Sequence, residues 1–117
     1  MKDPLVYLED ILNAISKIRR YIQDYSEEDY SSDEKTQDAV IRQISIIGEV
    51  ANSLDQSIKD QMSDVPWRDI IGMRNILIHD YKGVLVPEVR KVIQSDLTPL
   101  FDNIQKFIHE QVPSKQQ

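Results

Sequence analysis

The sequence predicts an all-α domain. Only three glycines occur in 117 residues, apolar residues recur at spacings of three and four through long stretches, and few β-branched alternations appear. The length suits one globular domain. Residues 1–112 are expected to form it, with a disordered tail from Pro113 to Gln117.

The first helix is placed at about 4–25. Asp3 can cap it and Pro4 can open it, at a position where the missing N–H costs nothing. Leu5, Leu8, Ile11, Leu12, Ile15, Ile18, Ile22 and Tyr25 form one stripe at helical period. Residues 24–38 carry seven acids against one base and no apolar period, so a solvated connection is expected there. Ser31-x-x-Glu34 reads as a capping box opening the second helix, whose core stripe is Val40, Ile44, Ile47, Ala51 and Leu54. Ile41, Ile46 and Val50 widen that stripe enough for two neighbours, within the domain or across a dimer seam. Asp64 and Pro66 mark the start of a third helix, from about 66 to 79. Gly83 and Pro87 bracket a turn, and a last helical stretch runs from about 87 to 111. Pro99 lacks a backbone donor, so that stretch should be kinked or divided near Thr98. Four or five antiparallel helices with short connections make a bundle.

Charge narrows the function. Twenty Asp and Glu against fourteen Lys and Arg give a formal charge of -6, opposite in sign to that of a general nucleic-acid binder. The excess is uneven, because residues 66–91 hold five bases and three acids. Indiscriminate RNA coating is excluded, while one small basic cleft remains compatible with a short exposed strand. No run free of charged residues exceeds six, so no membrane span is expected. The N-terminal Met1-Lys2-Asp3-Pro4 lacks a signal-peptide pattern, which fits a cytoplasmic address. Without cysteine there is no disulfide framework, thiolate nucleophile or Cys-ligated zinc. No Gly-rich phosphate loop, metal-ligand spacing or Ser-His triad context is present, and no cofactor is expected.

Polar residues that do not suit their surroundings gather in the apolar segment from Trp67 to Tyr81. Arg74 and Tyr81 share one helical face, and Asn75 and His79 share the adjoining one. On an ideal helix Arg74 and His79 lie about 140° apart. They converge if the helix unwinds near His79, or if two chains bring their copies together around one cleft. These groups suit metal-free RNA cleavage. A neutral His can take the proton of a ribose 2'-hydroxyl, and a protonated one can give a proton to the leaving 5'-oxygen. An Arg fork matches the phosphate and the charge that builds on it, while Asn75 can orient the imidazole or hold a non-bridging oxygen. Structural roles compete with this reading. Arg74 can pair with an acid such as Glu49, His79 can cap a helix C-terminus, and Tyr81 can be a boundary aromatic. Trp67 and Met73 read as core, and His109 as a surface residue.

At this segment the sequence resembles the HepT-like toxins of the HEPN superfamily, whose motif is R-x4-H-x-Y. Here it reads Arg74-Asn75-Ile76-Leu77-Ile78-His79-Asp80-Tyr81, flanked by Val65-Pro66-Trp67, Gly72-Met73 and, on the second helix, Ile46-Ile47-Gly48-Glu49. The resemblance covers roughly residues 5–108. It implies a homodimer of helical bundles with both motifs facing one cleft, acting as a metal-independent ribonuclease toxin. Arg74 and His79 are then the catalytic pair and Asn75 a helper. Tyr81 becomes the acceptor of AMP transferred by a minimal nucleotidyltransferase antitoxin, which neutralises the toxin. A non-catalytic module that holds a nucleotide or scaffolds the nucleotidyltransferase is the alternative.

Overall fold

The computed structural model describes residues 3–79, 89 and 91–111, with the side chains of 75–79 outside that description. The described residues form helices and no strand. The helices are α1 (Pro4–Tyr21), α2 (Glu27–Ser31), α3 (Glu34–Ser53), α4 (Gln56–Asp60), α5 (Trp67–His79) and α6 (Leu97–Gln111), with a π-helical segment Val92–Asp96 leading into α6. The all-α bundle is thus as expected, and one-turn helices α2 and α4 join its longer members.

The Asp3 carboxylate accepts from the Leu5 backbone N–H at 2.8 Å, ahead of Pro4 at the first helical position. Leu8, Ile11, Ile15 and Ile18 are buried. The helix stops at Tyr21 rather than 25, with Ile22 as its C-cap, and Tyr25 is exposed. The chain breaks away through Asp24, whose φ of 65° is a left-handed conformation that a short polar side chain tolerates. Tyr25 then donates its hydroxyl to Asp33 Oδ2 at 2.7 Å.

The expected solvated connection contains α2. Its capping box is Ser26 with Asp29, each side chain bonded to the other's backbone N–H, and Tyr30 is buried. Ser31 therefore ends α2 instead of opening the next helix. Asp33 caps α3, accepting from the Thr36 N–H at 3.1 Å. The expected α3 stripe of Val40, Ile44, Ile47, Ala51 and Leu54 is buried throughout. Within the chain α3 packs against both α1 and α5, while Ile41, Ile46 and Val50 remain half-buried.

Helix α6 packs on α1. Arg19 donates to Thr98 Oγ at 3.2 Å, and its guanidinium stacks 4.6 Å from the Phe101 ring centroid. The expected division near Thr98 falls at Asp96 and Leu97, where the π segment gives way to α6. A widened turn just before Pro99 accommodates a residue that cannot donate to the preceding turn. Val89 and Lys91 are helical. The expected Gly83–Pro87 turn, the helix start at 87 and the tail lie outside the described residues.

Candidate functional site

Helix α5 carries the motif. Its Ile70 side chain is buried, Trp67, Ile71 and Met73 are half-buried against the core, and Arg68 and Asp69 are exposed. Trp67 and Met73 thus sit at the margin of the core rather than within it. Indole Nε1 of Trp67 donates to the Met62 carbonyl at 3.1 Å, fixing the ring at the helix entry.

Arg74 is half-buried, with its Nε shielded from solvent. It stands where α5 lies tightly against Gly48 of α3. A Cβ added to Gly48 would collide with Arg74 Cβ and would meet Arg74 Cγ at 3.0 Å and the Ile70 carbonyl at 3.3 Å. Gly48 is therefore what lets the root of Arg74 lie against α3. The signal was available in the sequence as a glycine inside the apolar stripe of an amphipathic helix, but glycine carries no chemistry to single it out. Glu49 lines an open groove with Tyr7, Asp10 and Ile46.

The backbone remains helical through His79, the last residue of α5. Positions 74 and 79 consequently lie about 7.5 Å apart along the axis and about 140° apart around it. The helix does not unwind before His79, and unwinding at or beyond His79 falls on residues outside those described. Asn75 and His79 are placed by their backbone alone, and Tyr81 lies outside the described residues. His109 is exposed, as expected of a surface residue.

Along α5 runs a second feature that the motif did not announce. Asn52, Gln56, Lys59, Trp67, Arg68 and Gly72 border an open groove of about 560 Å3. Lys59 is only 8% exposed, and its Nζ donates to the Ala51 carbonyl at 3.1 Å. Among the described residues no cluster of three or more His, Asp or Glu is placed to hold a metal ion, and no helix is long and apolar enough to cross a membrane.

The chain is similar to known proteins over nearly all of its length. It is 39% identical over 101 residues to the "Probable ribonuclease HepT" of Thermococcus cleftensis, covering 86% of this chain and 92% of that one. It is 37% identical over 109 residues to a Methanocaldococcus jannaschii protein named "Gamma-glutamylcyclotransferase and putative RNase". That match covers 93% of this chain and 49% of the relative, so the chain spans about half of that relative's length. No solved structure matches. Residues 11–107 match the family described as Ribonuclease HepT-like, and with the Arg-to-His segment seated on α5 inside that range, the chain belongs to the HepT-like ribonuclease family.

Proposed function

We propose that this chain is a metal-independent ribonuclease and the toxin of a toxin–antitoxin pair, with Arg74 and His79 as its catalytic residues and Asn75 as their helper. The observation that carries the reading is the occurrence of Arg74 and His79 on one helix, inside the stretch that matches a ribonuclease family. Relatives named as ribonucleases support it.

In the proposed reaction a neutral His79 imidazole accepts the proton of a ribose 2'-hydroxyl, and the 2'-oxygen attacks the adjacent phosphorus. Arg74 donates to the non-bridging oxygens as their charge grows. The bond from phosphorus to the 5'-oxygen breaks, a protonated imidazole supplies the leaving oxygen with its proton, and a 2',3'-cyclic phosphate remains. One chain has a single histidine in the motif, and its Arg and His lie on different faces of an unbroken helix. Two copies around one cleft supply a base, an acid and two guanidinium groups, which supports a homodimer as the active form.

Purified protein incubated with total RNA in EDTA is expected to cleave it, and His79→Ala and Arg74→Ala should each abolish cleavage while far-UV circular dichroism stays unchanged. Full activity in either variant sinks the reading. Intact RNA with the parent protein favours a non-catalytic module instead.

Regulation is proposed at Tyr81. Its phenolate oxygen would attack the α-phosphorus of ATP on a nucleotidyltransferase antitoxin and release pyrophosphate, leaving AMP on the ring. A nucleotide attached two residues from His79 places phosphate charge where an RNA phosphate must bind. Intact-mass measurement after co-expression with the antitoxin should show one or more AMP-sized increments, all absent in Tyr81→Phe.

A further inference from the structure

We propose that the groove beside α5, bordered by Lys59, Trp67, Arg68 and Gly72, is a single-stranded RNA subsite. In this subsite Lys59 and Arg68 hold a phosphate and the Trp67 indole stacks on a base. The proposal rests on the ribonuclease reading and extends it to how the substrate is held.

The groove is built from fixed donors. Lys59 lies buried beneath the C-terminal end of α3, and its bond to the Ala51 carbonyl holds the ammonium in place with two further N–H donors. Its burial therefore has an explanation in the negative end of a helix, and the same arrangement presents a positioned cation at the groove. Arg68 is exposed at the border and forms no ion pair among the described residues. Asp69, next in sequence, does not line the groove; it lies near Asp96, whose carboxyl pKa is raised by burial and, to a lesser extent, by the charge of Asp69. Among the described residues none that lines the groove is an acid, in a chain whose formal charge is -6. Gln56, on the groove wall, donates its side-chain amide to Asp60 at 2.8 Å.

Two cations would suit any anion, but the other walls favour a nucleotide. The Trp67 ring is pinned by its bond to Met62 and remains half-exposed along the groove, and a rigid aromatic face stacks on unpaired bases. Asn52 adds a side-chain amide, able both to donate to and accept from a base or ribose. A Cβ built on Gly72 meets nothing within 4 Å, so this glycine leaves the α5 backbone open to the groove without being required by packing inside the chain.

Register ties the groove to the cleavage residues. Asn75 follows Arg68 by seven positions and His79 follows Gly72 by seven, an offset of about 10 Å along α5 at nearly the same angle around it. A short strand seated on Lys59 and Arg68 thus runs along the helix face on which positions 75 and 79 lie.

Trp67 is the single tryptophan of the chain, so its emission reports on the groove alone. The test titrates full-length His79→Ala protein with a short unstructured RNA of A and U, reading tryptophan emission and the anisotropy of an end label together. Saturable quenching is expected, with the midpoint weakened about tenfold by Arg68→Gln. The slope of log affinity against log salt should fall by about 0.7, the increment for one phosphate contact on a single strand. Gly72→Leu, which fills the groove without changing charge, should remove the quenching while leaving helicity intact. Binding seen by anisotropy with unchanged emission and an unaffected Arg68→Gln variant overturns the subsite, and leaves the ribonuclease reading standing if the parent protein cleaves the same RNA. A parent protein that neither binds nor cleaves overturns both. Equal quenching by an oligoglutamate peptide overturns the proposal in favour of an acidic protein partner.

Discussion

Gly48 and Arg74 form the contact on which the position of the proposed catalytic arginine depends. A methyl group at Gly48 would occupy space already held by Arg74 Cβ, and the Ile70 carbonyl 3.3 Å away blocks a sideways escape. Gly48→Ala must therefore move α5 away from α3. Such overpacking costs about 1–3 kcal/mol, so thermal denaturation should show a lower Tm, and RNA cleavage should fall further than the loss of folded protein accounts for. An unchanged Tm would mean that the two helices separate there without strain. Tyr30 presents the opposite problem. Its hydroxyl is buried with no hydrogen-bond partner among the described residues, and burial, aided by the charge of Asp38, pushes its pKa up to about 12. An unfolded tyrosine ionises near 10, so the contribution of a neutral Tyr30 to stability is complete below pH 10 and is lost as the pH rises through about 12. Tyr30→Phe should be neutral or stabilising at pH 7 and should flatten the decline in Tm measured from pH 9 to 11. A markedly lower Tm at pH 7 would show that the hydroxyl is bonded.

At the scale of elements, what the sequence made legible depended on how many residues had to agree. The stripes of α1 and α3 each repeat over four or five turns, and their core positions, Leu8 to Ile18 and Val40 to Leu54, were recognisable because every one must face inward. Helix α2 has five residues and one buried side chain, Tyr30, so it offers no period to read. Its capping box uses Asp29 as the second member, where Ser31 with Glu34 presented the more familiar pattern. The π segment is a matter of hydrogen-bond register, which apolar spacing does not encode. Of the proposed site, Arg74, Asn75 and His79 stood out in the sequence as polar residues in an apolar segment, whereas the groove did not. Its members Lys59 and Trp67 come from different elements and look like an ordinary surface lysine and core aromatic until α4 and α5 are placed. Gly72 links this scale to the groove. It sits within α5 at an ordinary helical φ, and alanine would meet no neighbour within 4 Å. Gly72→Ala should accordingly raise stability by up to about 1 kcal/mol through helix propensity, seen as a higher Tm. A lower Tm would show that another molecule packs against this position in solution.

For the whole molecule, the main packing among the described residues runs α6 on α1, α1 on α3 and α3 on α5, which puts α5 at one end of that series. Its outer side is where Arg68, Gly72 and the half-buried Ile71 and Met73 remain in contact with solvent. An outer helix that carries the motif suits a site completed by a second copy, because a helix buried on all sides would have no face to share. The acidic remainder of the chain works in the same direction. In the proposed reading it would repel long RNA and favour binding near the segment 66–91, whose five bases outnumber its three acids and which a homodimer would double. A shared site has a kinetic signature that a monomeric one lacks. Specific cleavage activity, measured on a short fluorogenic RNA across a dilution series, should stay constant at high protein concentration and fall as the protein is diluted below the dissociation constant of the dimer. The midpoint should coincide with the change in mass seen by sedimentation at the same concentrations. Activity per chain that holds constant through the monomerising range would place base, acid and arginine within one chain, and would require α5 to rearrange around His79 when RNA binds.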